Sequence, residues 1–116
     1  MKYSLNKTDK LLLKSEFEHL KEHGTRYVSG DCLLSASGSP DGRLRCGVIC
    51  GKKFSKKAVV RNRARRLLWE SFRLLKPQMQ ICHMVLIPRQ GMKGKKQQEI
   101  QISLHRLLQK AALITD

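Results

Sequence analysis

The stretch from Lys52 to Lys76, KKFSKKAVVRNRARRLLWESFRLLK, limits the possible folds more than any other part of the chain. Glu70 is its single acid, set against Lys52, Lys53, Lys56, Lys57, Arg61, Arg63, Arg65, Arg66, Arg73 and Lys76. Val60, Ala64, Leu67, Leu68, Ser71, Phe72 and Leu75 recur at three- and four-residue steps. At about 100° per residue they fall on one stripe of a helix. Asn62, Arg65, Arg66, Trp69 and Arg73 gather on the opposite side. The spacing predicts a helix from about Lys57 to Leu75. Pro77 ends it, because the residue before a proline avoids the helical region. Such a helix must bury its stripe against other elements and leave a dense cationic face in water. Evenly spaced phosphates are the natural counterpart, since a guanidinium matches phosphate oxygens in bidentate geometry.

The rest of the chain shares this bias. Its 116 residues hold 24 Lys and Arg against 9 Asp and Glu, a formal net charge of +15. A field of that sign implies a polyanionic partner, nucleic acid before an anionic membrane surface. No apolar run approaches the ~20 residues that a membrane-spanning helix needs. The N-terminus, MKYSLNKTDKLLLK, lacks the apolar stretch of a secretory signal. The length suits a single domain over residues 1–116. Cys32, Cys46, Cys50 and Cys82 lie in strand-like segments and read as small buried hydrophobes in a reducing cytoplasm.

Residues 1–14 read as a basic, loosely ordered segment in which Leu11 to Leu13 could dock on the domain. Ser15 followed by Glu18 spells a capping box, so a first helix is expected from there. It carries Phe17 and Leu20 as apolar contacts and stops at Gly24, a residue suited to a left-handed C-terminus. Tyr27-Val28 and Cys32 to Ala36 read as short strands, Ser37 to Gly42 as a turn, and Arg43 to Cys50 as a returning strand. Together these predict an antiparallel meander. After the basic helix, Met84 to Pro88 is a continuous apolar run, as in a strand buried on both faces. A final helix from about Gln97 to Leu113 carries Ile100, Leu104, Leu107, Leu108 and Ala111 on its stripe. The predicted class is α+β, in the order α-β-β-β-α-β-α, with a small mixed sheet packed against helices.

Little in the sequence points to catalysis by the polypeptide. Cys46 and Cys50 sit four apart on a strand rather than in a zinc knuckle, and Cys32 and Cys82 form no second pair of that kind. His19 and His23 share a helix face, where two exposed polar residues are the simpler reading. His83 opens the apolar strand and is expected to be a hydrogen-bonded structural histidine. The acids are scattered, whereas a two-metal nuclease needs clustered carboxylates. No metal and no small-molecule cofactor are expected on this chain.

The string KKFSKKAVVRNRARR resembles the Arg-Asn-Arg motif of the protein component of bacterial ribonuclease P. In that family a strand ends in Lys-Lys, a turn follows, and a helix opens with Ala-Val-x-Arg-Asn-Arg-x-(Lys/Arg)-Arg. The matching positions here are Lys52, Lys53, Ala58, Val59, Arg61, Asn62, Arg63, Arg65 and Arg66. The short first helix ending in Gly24-Thr25 and the element order extend the likeness over nearly the whole chain. The resemblance implies a left-handed β-α-β crossover around the basic helix, and a subunit of an endonuclease that matures tRNA 5′ ends. It implies that a catalytic RNA, with Mg²⁺ held by that RNA, does the cleavage. Arg61, Asn62, Arg63, Arg65 and Arg66 would contact the RNA, and Lys52, Lys53 and Arg89 match further basic positions of the family. Arg63 could equally be a flanking residue with a solvated head.

The resemblance also implies a cleft between the first helix and the sheet for the single-stranded 5′ leader of precursor tRNA. Phe17 keeps one aromatic of that cleft, Lys21 stands at a second aromatic position, and Cys32 and Ser35 stand at two sheet positions that are often aromatic. Leu33 lies between them, on the other face of the strand or at a bulge. Phe17 could also be an ordinary core residue. Trp69 is expected to pack on a guanidinium, stack on a base or cover the end of the sheet. The alternative to a ribonuclease P subunit is a small basic ribosomal or RNA-chaperone protein. A DNA-binding role is weaker, because no helix-turn-helix pair is apparent.

Overall fold

The structure, a computed structural model, describes residues 9–11 and 13–114. Three helices and four strands follow one another as α1 (Lys14–His23), β1 (Thr25–Val28), β2 (Cys32–Ser37), β3 (Arg45–Val48), α2 (Ala58–Leu75), β4 (His83–Pro88) and α3 (Gln97–Lys110). The expected element order and the mixed sheet are both present. None of the described helices is long and apolar enough to cross a membrane.

The sheet order is β1-β2-β4-β3. The expected antiparallel meander holds for β1 and β2, which pair with Thr25 opposite Ala36, but not for β3: β4 lies between β2 and β3, which do not pair. β4 runs antiparallel to β2, with Ser35 opposite Val85, and parallel to β3, with Gly47 opposite Val85. The reason is the composition of β4. His83–Met84–Val85–Leu86 are all buried, so this strand needs cover on both faces and neighbours on both edges, as a central strand has.

The two sheet faces bury different sets. Cys32, Leu34, Ala36, Cys46, Met84 and Leu86 join Ala64, Leu67, Leu68 and Phe72 of α2 and Ile100, Leu104, Leu107 and Leu108 of α3 in the main core. Leu34, Leu68, Phe72, Met84, Leu86, Ile100, Leu104 and Leu108 have no exposed surface. Each therefore contributes the upper part of the roughly 1.5–3 kcal/mol that full burial of such a side chain supplies. The opposite face holds a smaller cluster of Leu11, Leu20 and Val85, with Phe17, Ile49 and Ile87 packed against it. The stripe read from the sequence of α2 is thus the stripe that is buried, with Val60 packed at its edge.

Several local expectations are corrected. Helix α1 begins at Lys14, not after Ser15. Glu16 Oε1 accepts the Leu13 amide at 2.9 Å, while Glu18 lies 3.9 Å from the Lys14 ammonium. A carboxylate three residues past the cap reaches the cap amide, and Glu16 stands in that relation to the true cap. Gly24 is not left-handed: its φ is −69° and its ψ 149°. It is glycine because a Cβ there would lie 2.2 Å from Ser35 Oγ and 2.5 Å from the Leu20 carbonyl oxygen. α3 stops at Lys110, and Ala112 takes a left-handed φ of 57° that turns the chain so that Ile114 is buried. Of the segment 1–14 expected to be loose, residues 1–8 and 12 lie outside the described residues. Leu11, in contrast, is buried and donates its amide to the Cys46 carbonyl at 3.0 Å, and Asp9 pairs with Lys76 at 2.9 Å.

Candidate nucleic-acid interface

The chain leaves β3 through a tight turn in which the Phe54 amide donates to the Gly51 carbonyl at 3.1 Å. Phe54 is buried and anchors the turn, so Lys52 and Lys53 are exposed. Gln90 holds the turn from outside, donating Nε2 to the Phe54 carbonyl at 2.9 Å. Helix α2 then starts with no acid in its first turn. Its free N–H groups add partial positive charge where Lys56, Lys57 and Arg61 already stand.

The arginines on this side are held by backbone carbonyls. Arg61 donates to the Ser55 carbonyl at 2.9 Å, Arg63 to the Lys95 carbonyl at 2.8 Å, and Arg89 to the Ser29 carbonyl at 2.8 Å. Arg65 donates to the Cys50 carbonyl at 3.0 Å and to Asn62 Oδ1 at 2.7 Å. A guanidinium has five N–H donors, so one or two spent on carbonyls fix its direction and leave the others for a further acceptor. The Arg63 head is thus not freely solvated: it is half-buried and tied to the Lys95 carbonyl. Arg66 is exposed and makes no such bond among the described residues. Sequence reasoning treats Arg65 and Arg66 alike, but Arg65 is half-buried and ties α2 to the end of the β3 segment.

The second feature lies on the α1 face of the sheet. Ser35 is buried and donates its hydroxyl to the Leu20 carbonyl at 2.7 Å, which fixes the end of α1 on β2. Phe17 lies on Gly47, the site where any side chain would collide with its ring. Lys21 is exposed, and its carbonyl accepts from Arg26 at 3.0 Å. Past α1 the sheet continues as Leu33, flanked in register by Val28 and Ile87, with Ile49 beyond. Val28 is exposed and Leu33, Ile49 and Ile87 are half-buried, so these residues make an aliphatic floor.

Cys32 does not belong to this cleft. It alternates with Leu33 on a strand without a bulge and lies in the main core, whereas Leu33 and Ser35 share the α1 face. Val28, Ile49 and Ile87 are not singled out by the sequence motifs. Their alternation with core residues is the available signal. Ile49 and Ile87 also line a depression of about 520 Å³ bordered by Lys53, Arg89 and Gln90. The depression thus brings the Ile49–Ile87 end of the aliphatic floor beside Lys53 and Arg89.

The remaining chemistry is structural. All four thiols are free and buried. Burial pushes Cys32 up to about 12 and Cys82 up to about 11, and it also raises Cys46 and Cys50, so none is poised as a nucleophile. His83 is buried, with Nε2 3.1 Å from Asp41 Oδ1. The Arg45 guanidinium beside Asp41 holds that carboxyl well below its usual range. No three His, Cys, Asp or Glu side chains converge among the described residues. Trp69 stands edge-on to Phe72 at 6.0 Å, and the ammonium it meets is Lys10, 5.1 Å from the ring centre. It therefore covers the core edge where the N-terminal segment crosses α2.

The family described as Ribonuclease P matches residues 5–112 of this sequence. A ribonuclease P protein component from Nitrosomonas eutropha is 35% identical over 112 residues, covering 95% of this chain and 93% of its own length. One from Pseudoalteromonas atlantica is 30% identical over 109 residues, covering 94% and 91%. In three dimensions, the RNase P protein of Staphylococcus aureus superposes with a TM-score of 0.82 at 22% identity, covering 92% of this chain and 98% of that one. That of Thermotoga maritima gives 0.78 at 23% identity, covering 87% and 96%.

Proposed function

Since this chain belongs to the ribonuclease P protein family and is a subunit of that tRNA 5′-maturation endonuclease, we propose how its surface divides the work. The face built from Lys52, Lys53, Arg61, Asn62, Arg63, Arg65, Arg66 and Arg89 binds the catalytic RNA. The adjoining cleft, with Phe17 and Lys21 on its α1 wall and Val28, Leu33, Ile49 and Ile87 in its floor, takes the 5′ leader of precursor tRNA; Ser35, expected at the cleft, is buried and only holds α1 against β2. One observation carries this reading: the depression at Ile49 and Ile87 joins the aliphatic floor to Lys53 and Arg89. A strand leaving the cleft therefore passes directly onto the cationic face.

Each residue type suits its part. Arginines held by carbonyls meet phosphates with part of their conformational freedom already spent, which lowers the entropy lost on binding. Such contacts position the RNA without reading sequence. The aliphatic floor excludes water beneath a base, the half-buried Phe17 ring borders that floor as an aromatic contact for a base, and Lys21 supplies a charge for the leader backbone. Mg²⁺ held by the RNA supplies the hydrolytic chemistry, while this chain binds and orients substrate. We place the assembly in the cytoplasm.

Reconstitution tests the reading. The protein alone should leave precursor tRNA intact. Added to its RNA subunit at moderate Mg²⁺, it should increase cleavage, and more for a substrate with a leader than for a leaderless one. Cleavage by rigorously RNA-free protein, or an increase blind to the leader, would overturn the corresponding half of the proposal.

A further inference from the structure

The turn between β1 and β2 contains the one buried carboxylate among the described residues, that of Asp31, whose side chain is 6% exposed. Burying an acid is costly unless it is paired. Its partner is the Lys95 ammonium at 2.6 Å, and this hydrogen bond raises the Lys95 pKa. Lys95 stands just past the left-handed Gly94, in a loop closed by its own amide donating to the Met92 carbonyl at 3.1 Å. The Lys95 carbonyl is the acceptor that holds Arg63 at 2.8 Å. On the other side, the Asp31 carbonyl accepts the Arg89 amide at 2.8 Å, and the Ser29 carbonyl accepts the Arg89 guanidinium at 2.8 Å. The two loops are in close contact: a Cβ on Gly91 would lie 2.3 Å from the Gly30 carbonyl oxygen.

We propose that Asp31 is a positioning residue for the RNA-binding face, tying the 89–95 loop to the β1–β2 turn so that Arg63 and Arg89 are both held toward the RNA. The proposal rests on the reading of that face given above. It makes a prediction opposite in sign to simple charge counting. In a protein of net charge +15, removing an acid should strengthen binding to a polyanion. If Asp31 positions two arginines, removing it weakens binding instead.

The test measures affinity of the full chain for the ribonuclease P RNA subunit across a salt series, well below the melting temperature. Asp31→Asn should bind roughly tenfold more weakly for each guanidinium displaced. The log–log salt slope should flatten by about 0.7–0.9 for each phosphate that is no longer neutralised. Glu22→Gln, which removes an exposed acid, should bind as tightly as wild type or tighter. The double variant Asp31→Asn/Lys95→Gln keeps the net charge and leaves no lone buried charge, and it should still bind more weakly. In an Arg63→Ala/Arg89→Ala background, Asp31→Asn should add nothing. Undiminished affinity with an unchanged or steeper slope in both Asp31 variants would overturn the proposal. If Arg63→Ala and Arg89→Ala themselves leave the slope unchanged, it is the RNA-face reading that fails.

Discussion

A methyl group added at Gly47 would test how α1 sits on the sheet. A Cβ there would lie 2.3 Å from Phe17 Cε1 and 2.7 Å from Cζ, against 3.4 Å or more for ordinary contact. The ring must therefore retreat by about 1 Å, and Leu11 Cδ1 at 3.3 Å closes one way out. Overpacking of this kind costs about 1–3 kcal/mol. Because Phe17 is half-buried and its ring can swing toward the cleft, the lower half of that range is expected. For a domain of this size the melting temperature should fall by roughly 4–10 °C. The displaced ring should also disturb leader binding. The assay is far-UV CD melting of Gly47→Ala, together with the affinity of the reconstituted ribonucleoprotein for precursor tRNA with and without its leader. Gly51→Ala serves as control, since a Cβ at Gly51 meets nothing within 4 Å. An unchanged melting temperature with unchanged leader discrimination would refute the Phe17–Gly47 contact. Equal weakening of both substrates would make Phe17 a core residue only.

The other expectations follow from single contacts. Arg66→Ala should flatten the salt slope of RNA binding by about 0.7–0.9 with no change in melting temperature. Arg65→Ala should do the same and also reduce stability by about 1 kcal/mol, because it releases the Cys50 carbonyl and Asn62. Equal stability of the two variants would contradict the geometry. Lys21→Phe should make leader-dependent affinity less salt-sensitive, since charge is screened over about 8 Å at physiological salt and stacking is not; an unaltered salt series counts against Lys21 as a leader contact. The raised thiols give a pH dependence. Cys32 and Cys82 ionise at about 12 and about 11 in the folded chain, above the ordinary 9.0. The stability they supply is full below pH 9 and is lost as pH rises through the folded values. Melting temperature should therefore fall above about pH 9, less steeply in a Cys32→Ala/Cys82→Ala variant, and identical profiles would remove the thiols from the account.

What the sequence disclosed was whatever depends on neighbours a few residues apart. The α2 stripe, the burial of β4 and the strand–turn–helix setting of Arg61 to Arg66 all follow from spacing. Features set by distant residues were hidden. The insertion of β4 beside β3 is a choice of partner, and alternation along a strand does not name the partner. Gly24 has the look of a left-handed cap, but what excludes a side chain there is Ser35, on another strand. Cys32 reads as a cleft residue only through an error of one position, which in a strand reverses the face. The carbonyl partners of Arg61, Arg63, Arg65 and Arg89 were invisible because a guanidinium reaches backbone that only the folded chain brings near. Nothing in the sequence singles out Asp31, since its partner Lys95 lies 64 positions away.

The place of β4 in the sheet also bears on how the chain comes into being. A ribosome delivers α1, β1, β2, β3 and the whole cationic helix before it delivers His83–Pro88. Until then β3 has no strand beside it, α1 lacks Val85, and the stripe of α2 lacks Met84 and Leu86. Pairings between segments so far apart form late and slowly. A nascent chain halted before β4 therefore carries most of the positive charge without the geometry that directs it. It can adhere to any polyanion, and it gains the ability to choose among them only when its last strand and helix close the fold.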